Sequence, residues 1–546
     1  MSLPEIAPYL VTDENPATSN SAAIDWTRCA ALHNYILAFG IQNSGRELMA
    51  DNQRSWWEYY GDAAERLSGH LSPSLTEFLK HAQIGPQGSF ENEHNFFYYV
   101  NGLTPPSALW VNHGSGSGEI GGSVITLYSA NNIASHPDGL NFDQDGHDAI
   151  LQMSILDGII TTNGRQSWYP LETILSIWIS MIHSSKFQAL PPETHTSFSG
   201  SGGTKPWVVV PFSQQQLLHT LSAWDQYIQM IEARIPSSAA ETSAILIEGS
   251  ILDSLNIPHN SFAYQFLTQA KRPSFKFIAP GLSIPPNSMS FVTSQPLRAS
   301  FQIQTPAQDT DMNTSTPELP PILVFYGNGT TPPPPDGNPN GNTPPFSYPY
   351  DTIPLPTGLY LNPTFSTSNP FHDTVSLLLP FFLGTASFVR TSDNELLGQK
   401  RESRGINNNG GSFSELYQPG YRFFAEGYGV RLILVIESWA QMIEEGDWVV
   451  GEEGVLGGMK EWRKADTEEH SWKFMIGVDR IMAATPTRSM FSRQRTPLFL
   501  FAFMAGSGVF FALKWKAVMQ RSEAAKKAST QGVNFAVVPG RSGGGI

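Results

Sequence analysis

One stretch limits the architecture before anything else. Pro497 to Leu513 (PLFLFAFMAGSGVFFAL) runs for 17 residues without a charge. As a helix it would be about 25 Å long, a little short of a hydrocarbon core of about 30 Å. Arg493 and Arg495 precede it, and Lys514, Trp515 and Lys516 follow it. Such side chains reach the headgroups and make up the missing length. A core helix rarely carries basic clusters at both ends, so the stretch reads as one transmembrane helix. Gly506 and Gly508 give it a small face for packing against another helix. Both flanks are positive, so the charge rule for loops does not choose an orientation. A late-inserting anchor of the outer mitochondrial membrane or the endoplasmic reticulum is the expected address.

Charge separates this end from the rest. From Arg488 onward nine basic residues face one acid, Glu523, so the tail carries +8. The whole chain is at −15, which leaves −23 on everything before it. A body that acidic repels phosphate backbones, and nucleic acid is excluded as a partner. The single cysteine, Cys29, excludes an intrachain disulfide and any zinc site built on two thiolates. Cys29 lies in an apolar helical stretch, as a packed thiol in a reducing, cytoplasmic compartment does. Met1 to Asn20 has neither a basic start nor an apolar core, so no secretory signal is expected. The sequons at Asn313 and Asn328 are then not glycosylated.

The body is long enough for more than one core, and 40% of the 546 residues are hydrophobic. Apolar residues at three- and four-residue steps predict helix over Asp25–Leu67, interrupted at Gly40 and Gly45. Helices are also predicted over Ser74–Ala82, His147–Ile160, Tyr169–Ser184 and Phe262–Ala270. Ser213 and Gln216 form a capping-box pattern opening a helix to Ile235, and Val430–Glu445 is a helix stopped by Gly446. Phe96–Val100, Leu109–Val111, Ser123–Tyr128, Trp207–Val210, Phe275–Ile278 and Val375–Val389 read as extended. Between Thr305 and Pro370 prolines crowd among Asn, Gly, Thr and Ser, and only Pro321–Tyr326 reads as a strand. Pro332–Pro335 favours an extended conformation that suits an aromatic-lined groove or a plain loop.

The organisation expected is therefore a tail (1–24), a helix-rich α/β part (25–304), a Pro/Asn/Gly-rich insertion or linker (305–370) and an α+β part (371–475). A basic linker (476–496), the transmembrane helix (497–513) and a basic Gly-rich tail (514–546) complete it. The fold class is α/β or α+β, a large mixed globular body with a long Pro-rich loop, plus one C-terminal transmembrane helix.

Motifs for chemistry are sparse. Gly116–Gly121 matches the dinucleotide fingerprint, but that fingerprint needs a following helix to receive the pyrophosphate, and Ser123–Tyr128 prefers strand. A glycine loop between strands is the better reading. His136, Asp138, Asp143, Asp145 and His147, with Asp148, crowd into 13 residues, a donor set that suits hard cations, zinc or iron. Asn141–Gly146 imitates a calcium loop, but Gln152 stands where a bidentate Glu is needed. The other reading is an acidic turn capping a helix that starts near His147. Gly540-Arg541-Ser542-Gly543-Gly544 matches a nucleophile elbow without the strand and helix that make one. Glu437, Glu444, Glu445, Asp447, Glu452 and Glu453 supply paired carboxylates, or simply a solvated face.

Phe262–Ala270 leading to Ile278–Leu282, Glu437–Ala440 with Gly446–Trp448, and Ala465–His470 resemble a family of filamentous-fungal proteins over about residues 20–475. That family has no established activity, so the resemblance transfers no catalytic residue; it implies only a faint link to secondary metabolism. From about Met490 to Ile546 the chain is similar instead to small single-span fungal membrane proteins. The chain thus joins two units, or two neighbouring genes merged into one reading.

Two functions follow as expectations. One is a single-pass, membrane-tethered interaction or accessory protein whose acidic faces or proline loop meet a protein partner, which predicts an exposed apolar patch. The other is an enzyme or binding protein for a small apolar or aromatic molecule, which predicts a deep cavity with convergent polar groups. Catalytic residues and cofactor are not specified by any motif.

Overall fold

Two separate apolar clusters organise the body. The computed structural model describes residues 3–12, 14–18, 23–45, 54–85, 95–110, 122–131, 139–152, 168–191, 204–235, 244–297, 320–333, 346, 354–362, 371–391, 397, 401–403, 406–408, 413–418 and 430–476. All of these belong to one compact unit, residues 1–485. The segment Pro497–Leu513, the Gly116–Gly121 and Gly540–Gly544 motifs, His136 and Asp138 lie outside the described residues. Among the described residues no helix is long and apolar enough to cross a membrane.

The first cluster is built on an antiparallel sheet of β1 (Val100–Leu103), β2 (Val124–Ala130), β3 (Gly139–Asp143), β4 (Asp148–Gln152) and β5 (Tyr169–Pro170), paired in that order. Helices α1 (Trp26–Asn43), α2 (Pro73–His81) and α3 (Leu171–His183) bury side chains in the same cluster. Asp25 starts α1 by accepting from the Arg28 amide at 3.0 Å, and Gly40 lies buried inside the helix instead of breaking it. Phe97, Trp178, Phe187 and Trp207 pack ring on ring, with the Phe97 centroid 4.8 Å from Trp178 and 5.1 Å from Trp207. Phe187 and Trp207 come from the hairpin of β6 (Phe187–Ala189) and β7 (Trp207–Val209).

The helix expected over His147–Ile160 is not formed at its start. Asp148–Gln152 is β4, paired residue by residue with β3. Ala149, Ile150 and Leu151 are buried together, so both faces of this strand are covered, and an unbroken apolar run then suits a strand as well as a helix. Leu109, expected to be extended, instead closes a short 3-10 turn over Pro106–Ala108.

The second cluster lies on an eight-stranded sheet. Its strands are β8 (Phe277–Ala279), β9 (Leu282–Ser283), β10 (Ile322–Thr330), β11 (Pro356–Leu361), β12 (Val375–Leu383), β15 (Phe413–Glu415), β16 (Val450–Gly451) and β17 (Gly454–Val455). They run in the order β15-β12-β11-β10-β9-β8-β17-β16. All pairs are antiparallel except β17 with β8. A further hairpin joins β13 (Arg401–Ser403) and β14 (Ile406–Asn408). With helices gathered beside antiparallel sheets, the described residues form a mixed fold of the α+β kind.

Alternation decides what each face of this sheet covers. Leu359, Leu361, Leu377 and Leu379 face the main core with α4 (Gln214–Glu232), α5 (Phe262–Gln269) and α6 (Leu432–Glu444). Leu323, Tyr360 and Leu378 point the other way, onto Phe346 and Leu355. The Pro-rich stretch therefore contributes two central strands, β10 and β11, where its sequence suggested one. Gly358 is why β11 fits: its φ is +142°, and a Cβ there would lie 2.2 Å from the Phe325 carbonyl oxygen. The capping box of α4 forms as expected, with the Gln216 amide 3.1 Å from Ser213 Oγ and the Ser213 amide 2.8 Å from Gln216 Oε1.

Candidate functional site

Of the metal candidates, Asp143, Asp145 and His147 fall at a hairpin turn. Asp143 ends β3 and Asp148 opens β4 directly opposite, with Gln144–His147 as the turn. Asp143 Oδ1 accepts from the Asp145 amide at 3.1 Å, a local Asx turn, while Asp145 is exposed. Gln144 clamps the turn to its surroundings. Its amide donates to Ser123, its Oε1 accepts from the Ser72 amide at 2.8 Å, and its Nε2 reaches the His70 and Gly122 carbonyls. His147 sits at φ +57°, so the turn closes on a left-handed residue. The carboxylates here cap no helix, because a strand follows. Burial and the neighbouring Glu172 and Asp143 raise the Asp148 carboxyl, with His147 opposing. Among the described residues no group of three or more His, Cys, Asp or Glu is placed to hold a metal ion.

Ionisable side chains do converge elsewhere, where the two apolar clusters meet. Lys186 follows α3 through a turn in which Ser185 takes φ +57°. Its ammonium is fully buried, donates to the Val210 carbonyl and, at 3.0 Å, to that of Pro211, and lies 4.1 Å from the centre of the Phe371 ring. The Arg431 guanidinium lies 5.1 Å from that same ring, and its Nε donates to Asp373 Oδ2 at 2.9 Å. Asp373 is wholly buried. Phe371 packs in the first cluster, whereas the helix after Arg431 packs in the second. The His372 amide ties this strand entry to Pro211, and the His372 ring stacks on Phe212 at 6.4 Å.

Burial pushes the Lys186 ammonium well below its ordinary range, with Asp373 opposing and Arg431 adding to the shift. Burial and Lys186 bring His372 down to about 4, against Asp373. A lysine so shifted is a base or nucleophile wherever a substrate reaches it. Here its protons are directed at two main-chain carbonyls inside the core, and the group acts as a clasp between the turn after α3 and the chain that enters the second cluster at Phe212.

The same logic holds for other buried ionisable groups. Arg28 donates to the carbonyls of Tyr9, Leu10, Asn15 and Pro16 at 2.7–2.8 Å and holds the first turns of the chain against α1. Burial, then Glu172, pushes the Cys29 thiol up, as a packed cysteine requires. His33 is sandwiched between the Tyr128 hydroxyl and the Gln83 carbonyl, each at 2.8 Å, and burial lowers it to about 4. Asp466 accepts from the amides of Ala386, Phe388 and Val389 at 2.9–3.2 Å.

The surface offers a different arrangement at the β16 end of the large sheet. Val449 (60% exposed) and Leu456 (52%) face each other across the β16–β17 hairpin, and the Leu456 amide donates to the Val449 carbonyl at 2.8 Å. A Cβ on Gly451 would lie 2.6 Å from Leu456 Cδ2, so the leucine lies flat across the strand. Trp472 (58% exposed) is tied to this hairpin through Lys473, whose ammonium lies 5.2 Å from the Trp472 ring centre and bonds Asp447, two residues before Val449. Buried Trp448 and Phe474 both pack on Trp462, at 5.3 and 6.0 Å, and their chain neighbours Val449 and Lys473 follow; Lys473 bonds Asp447. Glu444, Glu445, Glu452 and Glu453, read from the sequence as paired carboxylates or a solvated face, stand exposed around the hairpin. The acidic residues are visible as a run, whereas the link from Trp472 through Lys473 to Asp447 joins distant positions that no local pattern announces.

No family model matches the chain, and no characterised protein or solved structure matches it significantly.

Proposed function

We propose that this is a membrane-tethered interaction protein: an acidic body that engages a protein partner, held to a bilayer by Pro497–Leu513. The observation that carries the tether is the uncharged 17-residue run bracketed by Arg493, Arg495, Lys514 and Lys516, next to a body at −23. Lipid accepts the run and water the body, and the basic brackets suit anionic headgroups. The interaction half of the reading is supported by Val449, Leu456 and Trp472, large apolar side chains left in water, the last tied to the hairpin through Lys473 and Asp447. The buried ionisable groups, by contrast, are engaged in holding main chain.

Alkaline carbonate extraction of the full chain tests the tether. The expected result is retention in the membrane pellet, and release of a variant carrying Phe503→Asp and Met504→Asp. Release of the unaltered chain into the supernatant sinks the proposal.

A further inference from the structure

We infer that the β16–β17 hairpin with Trp472 is the docking surface for a partner-protein segment that combines apolar residues with lysine or arginine. The inference deepens the interaction half of the proposed function and rests on it. Its apolar centre is Val449, Leu456 and Trp472, each more than half exposed. Two features prepare this centre to bind. The Trp472 indole N–H donates to the Glu469 carbonyl at 3.1 Å, and Leu456 rests on Gly451, so both side chains are already ordered and lose little entropy on association.

The charge around this centre selects the partner. Glu444, Glu445, Glu452, Glu453, Glu468 and Glu469 are exposed on the segments that carry or flank it. The basic groups nearby are mostly engaged. Lys473 bonds Asp447, Lys464 pairs with Glu461 at 2.6 Å, Arg463 lies 4.0 Å from the Phe381 ring, and Lys276 lies 4.7 Å from that of Phe277. Lys460 is a further exposed cation among the described residues. The second carboxylate oxygen of Asp447 accepts no hydrogen bond among the described residues. An apolar patch in an acidic surround attracts cationic, amphipathic chains and repels anionic lipid, so a protein segment is favoured over a membrane surface. The hairpin belongs to the sheet edge, and its two-residue edge strand is too short to template strand addition. Recognition is therefore through side chains.

The test uses the full chain in detergent, so that it is independent of whether the tether holds. Fluorescence anisotropy compares a labelled amphipathic lysine–leucine peptide with its glutamate–leucine counterpart, and vesicles of phosphatidylcholine and phosphatidylserine are the third probe. The lysine peptide is expected to bind at least about tenfold more tightly than the glutamate peptide, and to weaken as salt rises from about 50 to about 500 mM. Val449→Ser with Leu456→Ser and Trp472→Ser should lower its affinity about tenfold, and Glu452→Lys with Glu453→Lys should reduce the preference for it. Should the triple variant fail to fold, Trp472→Ser alone carries the comparison. Equal binding of both peptides, binding of the lysine peptide unaffected by these substitutions, or binding of the vesicles in preference to it overturns the inference.

Discussion

The two apolar clusters of this body solve the same problem in different currencies. Around the five-stranded sheet, the buried cations and His33 donate to carbonyl oxygens, Arg28 to four of them, His33 to Gln83 and Lys186 to Val210 and Pro211, beside one buried carboxylate, Glu172, that accepts from the Thr18 amide. Around the eight-stranded sheet, buried carboxylates do the holding. Asp466 gathers three amides and Asp373 takes the Arg431 guanidinium. The contrast has a physical source. The first cluster carries loops whose carbonyls point inward and need donors, whereas the second closes the loop after β12, whose amides need an acceptor. Acid and base should therefore stress the halves differently.

The seam between them is the most sensitive point. Asp373→Ala strips Arg431 of its carboxylate beside the Lys186 ammonium, and removing one partner of a buried ion pair costs about 3–5 kcal/mol. Chemical denaturation followed by intrinsic fluorescence should show that loss, with separate transitions for the two clusters if this clasp couples them. A single unshifted transition would show that the clasp couples nothing.

Acidification sharpens the contrast next. His33 titrates at about 4 in the folded chain against 6.5 when unfolded, so its contribution is fully present above pH 6.5 and is lost as the pH falls towards 4. That shift corresponds to about 3 kcal/mol. Melting curves across this window should steepen the decline for the unaltered chain and flatten it for His33→Gln, once the cost of the substitution at neutral pH is subtracted. Equal slopes in both proteins would rule out His33 as a source of acid sensitivity.

Glu415, at the β15 edge of the large sheet, runs in the opposite sense and more weakly. Burial lifts its carboxyl to about 7, with a hydrogen bond from Ser376 pulling down. A raised carboxylic acid costs stability above its folded pKa and nothing below its unfolded one, so the penalty appears between pH 4.5 and 7. Because the side chain is only partly covered, the expected gain from Glu415→Gln at pH 8 is about 2 kcal/mol, vanishing at pH 4. A gain of equal size at both pH values would mean that the substitution acts through packing.

How much of this was legible depended on whether the signal was local. Ser213 and Gln216 announce α4 because a cap and its partner lie within one turn. Val430–Glu445 reads as a helix because α6 buries one face, at Leu432, Val435, Ile436, Trp439, Met442 and Ile443. The strand at Asp148–Gln152 has a helix-like sequence because a strand covered on both sides loses its alternation. The strand β11 has no sequence signal because Pro356 and Gly358, both poor strand formers, are tolerated only where Gly358 meets Phe325. Of the docking surface, the acidic run was readable and the apolar centre was not.

Amino-acid order alone determined the charge split between body and tail, the uncharged run that the tether proposal rests on, the capped helices and the packed cysteine, since each depends on neighbours within a turn or on composition. Tertiary structure decided the rest. Lys186, Asp373 and Arg431, or Val449, Leu456 and Trp472, acquire meaning only when strands and helices distant in sequence are brought together. A side chain's charge and exposure are set by what packs against it, and the chain order does not contain that distance.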